Sequence, residues 1–191
     1  MTTEILLFDG FDDLDVFGPY EVLRNAGWDV RQVTAEPAET VTSAHGTAVV
    51  PHGVLGAPEL LIVPGGGWND RSGGPGACAE ARRGVIPAKL RQHQGRLASV
   101  CTGAMLLAEA GLLTGRRAVT HHSAMDDLRA AGAIVVAGAR FIDDGDIVTS
   151  AGVTSGIDMA LHLVGDAAPA VREEIEWGTA TPTGRSAAPA A

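Results

Sequence analysis

The chain has 191 residues, 46% of them hydrophobic, enough for one domain with a substantial core. Its formal net charge is −9, from 14 Lys and Arg against 23 Asp and Glu, which excludes the basic face that nucleic acid or an anionic membrane surface requires. No apolar run approaches the roughly 20 residues of a spanning helix, and MTTEILLFDG lacks the basic and long apolar regions of a secretion signal. The expectation is a cytoplasmic protein with neither nucleic acid nor membrane as partner.

In chain order, Glu4–Phe8 (EILLF) is an apolar run ending at Asp9-Gly10, the pattern of a buried parallel strand. Gly18-Pro19 opens a predicted helix over YEVLRNAG that Gly27 closes. Trp28–Thr34 reads as a second strand and Thr47–Val50 as a weaker third. Glu59–Val63 (ELLIV) is a strong strand running into Pro64-Gly65-Gly66-Gly67, and residues 68–84 read as a glycine-rich loop.

A helix is predicted over Val85–His93 despite Pro87, then a strand at Leu97–Val100 and a helix at Gly103–Ala110 closed by Gly111. Arg117–Thr120 reads as a strand before His121-His122, and Ser123–Ala131 as a helix ended by Gly132. Ile134–Val136, Arg140–Ile142 and Ile147–Ser150 are further strand pieces, the last two joined by an Asp143-Asp144-Gly145 turn. Thr154 is placed to cap a buried helix over Ser155–Val164, and a last helix covers Pro169–Trp177. From Gly178 on, GTATPTGRSAAPAA has the composition of a disordered tail. Alternating strands and helices predict a single α/β domain over residues 1–177, a doubly wound, mostly parallel sheet with helices on both faces. Ligands bind such sheets outside the carboxyl ends of the strands.

Two cysteines are present, Cys78 and Cys101, with no C-x-x-C spacing, so both are expected as thiols and no structural zinc is expected. Cys78 falls in a loop and reads as incidental. Cys101 sits at a strand–helix joint, in Ser99-Val100-Cys101-Thr102-Gly103. Small residues two before and two after it give the form of a nucleophile elbow. The following helix start would favour a thiolate, against the plainer reading of a small buried hydrophobe. The main-chain N–H of Thr102 is a candidate donor to developing negative charge, and Gly66, in the glycine run, a second. Asp15, read as part of the loop after the first strand, is a candidate proton partner. Asp9, Asp12, Asp13 and Asp15 together also read as a plain solvated acidic loop. Either His121 or His122 is a candidate base, and a His-His pair without a third ligand is no metal motif.

Five motifs, LFDGFDDLDVFGPYEVL, LLIVPGGG, SVCTGAMLLAEAGLLTGRRAVTHH, ARFIDDGDIVTSAG and VTSGIDMALHLV, occur in order over about residues 4–165. In them the chain resembles the ThiJ/PfpI superfamily, whose fold is like that of class I glutamine amidotransferases, and within it the isonitrile hydratase branch. The resemblance implies a nucleophile at Cys101, a thiol-contacting acid at Asp15, and oxyanion donors at the amides of Gly66 and Thr102. It implies thiolate addition to the terminal carbon of R–N≡C, release of an N-substituted formamide, and no metal or organic cofactor.

Protease-like members follow the cysteine with histidine, whereas Thr102 stands here, so no peptidase activity is expected. His121 matches a histidine near the cysteine in other branches, and His122 stands where the hydratase branch often has tryptophan, altering the pocket wall. Two other functions fit the family: an oxidative-stress-responsive protein whose elbow cysteine is oxidised, and a free-standing small-molecule-binding domain. The regulator relatives carry a DNA-binding domain after the match, for which this sequence is too short. A homodimer acting on a small molecule is the family expectation.

Overall fold

The computed structural model describes residues 1–70 and 72–178. The predicted tail, apart from Gly178, lies outside them. Strand β1 (Thr2–Leu7) is buried along nearly its whole length, as a strand covered on both faces must be. It pairs in parallel with β2 (Asp29–Thr34) on one side and β6 (Leu60–Val63) on the other. The sheet continues outward through β5 (Gly53–Val54) beyond β2, and through β7 (Arg96–Ser99) and β11 (Ile147–Ser150) beyond β6. The antiparallel β10 (Phe141–Asp143) closes that edge. The order β10-β11-β7-β6-β1-β2-β5 reverses direction between β1 and β6, and that switch point opens a crevice at the carboxyl ends of these strands.

Helices cover both faces. On one, α1 (Asp13–Asn25) packs against α6 (Ser155–Leu163) and α7 (Ala168–Glu174). On the other, α2 (Ala77–Arg83), α3 (Val85–Gln92), α4 (Gly103–Glu109) and α5 (Met125–Ala130) lie together. Ile5, Leu60, Leu61, Ile62, Leu106 and Leu107 are fully or almost fully buried between them.

Several boundaries differ from the sequence reading. Helix α1 starts at Asp13, well before Gly18-Pro19, because Asp12 caps it by accepting from the Leu14 N–H at 3.2 Å. Pro19 therefore lies inside the helix and removes the hydrogen bond that the Asp15 carbonyl would have received. Asp15 is thus a helical residue and not a loop residue. Helix α2 occupies part of the stretch read as loop, its good helix formers bracketed by Gly76 and a left-handed Gly84. In α3, Pro87 stands in the first turn, where backbone N–H groups have no intrahelical partner.

The piece read as a third sheet strand is β4 (Ala48–Val49), which instead forms a separate antiparallel ribbon with β3 (Val41–Thr42). Likewise β8 (Arg117–Ala118) and β9 (Ile134–Val135) form a two-stranded parallel ribbon outside the main sheet. Thr154 precedes α6 but gives it no side-chain cap, since its Oγ1 accepts from the Arg140 guanidinium at 3.2 Å. No helix among the described residues is long and apolar enough to cross a membrane.

Candidate active site

Cys101 lies in the turn between β7 and α4 with φ = 55°, a left-handed conformation that costs an L-residue roughly 1–2 kcal/mol. Hydrogen bonds on both sides hold it there. The Cys101 N–H donates to the Ala151 carbonyl at 2.8 Å, and the buried Thr120 hydroxyl donates to the Cys101 carbonyl at 2.8 Å. The need for a small residue two positions on is steric: a Cβ on Gly103 would lie 2.1 Å from the Val63 carbonyl oxygen. Ser99, two positions before, is wholly buried.

Asp15, in the first turn of α1, is also wholly buried. Its Oδ2 accepts from the Gly65 N–H at 2.8 Å, while Oδ1 makes no well-formed hydrogen bond. Burial, reinforced by the charge of Asp12, holds the Asp15 carboxyl well above the usual carboxylate range, and the Gly65 amide and Cys101 thiol oppose this. Burial and then the Asp15 charge push the Cys101 thiol up to about 12, against the amides of Thr102 and Val153, which face the sulfur.

Burial thus works against the thiolate expected at the helix start. Cys101 is only 7% exposed, and α4, at 7 residues, is a short dipole. The two acids titrate as a pair, and ionising one raises the other. With Asp15 protonated, the charge opposing the thiolate is gone.

Outside the sulfur opens a cleft of about 270 Å³, lined by Asp12, Gly66, Trp68, Thr102 and His121 among others. The Gly66 N–H is already engaged, donating to Thr102 Oγ1 at 3.0 Å. Gly66 has φ = 119°, and a Cβ there would strike the Gly10 carbonyl oxygen at 2.3 Å, so the backbone alone fits. His121 is half-buried in the wall, its ring kept below the usual histidine range by burial and then by His122. His122 is exposed, lies outside the cleft wall and packs on His121 with ring centroids 4.0 Å apart. The structure therefore brings Cys101, Asp15, Gly66, Thr102 and His121 together and leaves His122 out. Cys78 is buried on α2, facing a different recess whose wall it shares with Trp68.

Several contributors escaped the sequence reading. The Val153 amide reaches the sulfur through a fold contact with no local signal. Asp12 is legible as a cap only once the true helix start is known. Trp68 is fixed by donating from Nε1 to Asp127 at 2.6 Å, and the Asn69 side-chain amide donates to Ser123 Oγ at 2.7 Å. Among the described residues no cluster of three or more His, Cys, Asp or Glu is placed to hold a metal ion.

A parallel sheet with a strained cysteine on a strand–helix elbow, beside a buried acid at the switch point, defines the flavodoxin-like domains that carry a cysteine elbow. Within that class the chain belongs to the DJ-1/PfpI family, whose model matches residues 1–166. It is 36% identical over 186 residues to the isonitrile hydratase of Pseudomonas putida, covering 93% of this chain and 78% of that one. It is 32% identical over 180 residues to the HTH-type transcriptional regulator CdhR of Pseudomonas aeruginosa, covering 85% of this chain and 49% of the regulator. A solved structure of a ThiJ/PfpI family protein from Pseudomonas syringae superposes with a TM-score of 0.82 at 28% identity, covering 95% of this chain and 77% of that one.

Proposed function

We propose that the protein is a cofactor-free hydratase of isonitriles or closely similar small electrophiles, with Cys101 as nucleophile and Asp15 as its proton partner. The observation that supports this most is the pairing of an elbow thiol with a wholly buried carboxyl whose pKa that burial raises. In this reading the sulfur bonds the terminal carbon of R–N≡C, and the proton leaving the thiol–carboxyl pair goes to the same carbon, giving a thioimidate. Water then adds to that carbon. The Asp15 carboxyl gives its proton to the imine nitrogen as it takes one from the water; the C–S bond then breaks, the remaining hydroxyl proton goes to sulfur, and the thiol and an N-substituted formamide result. The Thr102 amide serves the charge that develops near the sulfur, and Gly66 acts by fixing Thr102 Oγ1. The identity to the Pseudomonas putida isonitrile hydratase supports the substrate class.

The deciding experiment is formamide production from a simple alkyl isonitrile by wild type and Cys101→Ala side by side. Turnover by wild type alone is expected. Absence of turnover in a folded, reduced sample overturns the reading.

A second reading rests on the same carboxyl. A protonated Asp15 is placed to hydrogen-bond an oxidised Cys101 sulfinate, which would make the protein a responder to oxidants. It requires selective oxidation of Cys101 over Cys78 under mild peroxide, followed by peptide mass spectrometry. Equal oxidation of both thiols counts against it.

A further inference from the structure

Three hydrogen bonds at the mouth of the cleft leave the His121 ring only one neutral form. The Ser123 backbone N–H points at His121 Nδ1 at 3.3 Å, and a backbone N–H can only donate. Nδ1 therefore carries a lone pair. Ser123 Oγ lies 2.8 Å from the same nitrogen and receives the Asn69 amide at 2.7 Å. The hydroxyl, already an acceptor from Asn69, satisfies both contacts by donating its own proton to Nδ1. The ring proton is thus on Nε2.

The back of the ring is fixed as well. A Cβ at Gly152 would meet His121 Cδ2 at 2.9 Å, so the glycine lets the imidazole lie flat against the chain. No charged Lys or Arg among the described residues lines this cleft. The described residues that line it offer as donors backbone amides, hydroxyls, the Asn69 amide, the His121 ring and the Trp68 indole, which is already bonded to Asp127.

We infer that His121 is a specificity-determining hydrogen-bond donor of the Cys101 cleft, held in its Nε2–H form by Ser123, and that it selects electrophiles that carry or develop an acceptor beside the reacting carbon. Taking up a proton at Nδ1 means turning away the Ser123 hydroxyl and opposing a backbone N–H that cannot turn, so His121 donates and does not act as a base. Ser123 is the positioning residue and Asn69 orients Ser123. Applied to isonitriles this rests on the hydratase reading. There the acceptor appears only after sulfur addition, as the imine nitrogen of the thioimidate and then the formamide oxygen. The donor itself stands apart from that reading.

The test uses two alkylating probes that transfer carbon to Cys101 with loss of iodide: iodoacetamide, which carries a carbonyl acceptor beside the reacting carbon, and allyl iodide, which carries none. Cys101 alkylation is followed by peptide mass spectrometry. Long-range proton–nitrogen NMR of the histidines reads the tautomer. Wild type is expected to show the Nε2–H pattern at His121, and Ser123→Ala a mixture of tautomers. His121→Phe should lower the iodoacetamide-to-allyl iodide rate ratio roughly three- to tenfold, the worth of one neutral hydrogen bond, and His121→Gln should restore much of it. An Nδ1–H pattern in wild type overturns the proposal. So does a His121→Phe protein in which both probes slow equally. Neither readout needs isonitrile turnover, so an inactive protein that passes both sinks the hydratase reading alone.

Discussion

Asp15 and Asp13 stand two residues apart on the first turn of α1 and respond to acid in opposite senses. Asp15 is wholly buried with a raised pKa, so the native state binds its proton more tightly than the unfolded chain does. Its contribution is present below the unfolded value of 3.8 and is lost as pH rises through the native one. Asp15→Asn keeps an oxygen for the Gly65 amide and removes the charge. It is expected to be more stable than wild type at neutral pH in urea unfolding, with the gap closing near pH 4. An unchanged midpoint at neutral pH counts against a raised native pKa.

Asp13 is also opposed by burial, yet contacts with Thr47, His45 and Ser43 hold it down to about 2. Its stabilisation is present above 3.8 and lost as pH falls through about 2. Asp13→Asn should therefore flatten the acid limb of the stability profile, whereas Asp15→Asn removes the slope above it. Titrating both variants by acid unfolding separates the two.

Among the elements, α4 shows how a steric rule and a conformational rule differ. Gly103 has no room for a Cβ because of the Val63 carbonyl, whereas Gly111, just past the helix, has φ = 76° and open space around it. Gly111→Ala should cost about 1 kcal/mol, through backbone strain alone. Gly103→Ala should cost more, roughly 1–3 kcal/mol or above, because α4 must move off β6. Equal losses in chemical denaturation would contradict the close approach.

The same elements mark what could be read from the chain. EILLF and ELLIV were legible as β1 and β6 because strands covered on both faces carry unbroken apolar runs. The elbow was legible because Ser99 and Gly103 are local requirements. The start of α1 was not, since Gly18-Pro19 mimics a helix opening that the Asp12 cap pre-empts. The two ribbons are too short to be told from sheet strands by periodicity. Asp15 was singled out among four nearby acids by the family resemblance alone; its burial and its bond to Gly65, fifty residues away, are encoded in no local pattern.

At the scale of the molecule, the reversal of strand order between β1 and β6 gathers segments from across the chain onto one rim. Loop 9–12 and the start of α1, the glycine run after β6 and the elbow after β7 all meet there. The β8–β9 ribbon leads into the His121 turn beside them. That convergence makes the rim acidic. Asp12 and Asp70 line the cleft, and burial keeps the nearby His121 below the usual histidine range. The cleft therefore works as a charge filter. A negatively charged electrophile must approach carboxylates on a molecule of net charge −9, while a neutral one meets no such barrier. Ethyl isocyanoacetate should be hydrated with a higher kcat/KM than the isocyanoacetate anion. The gap should narrow as added salt screens the approach.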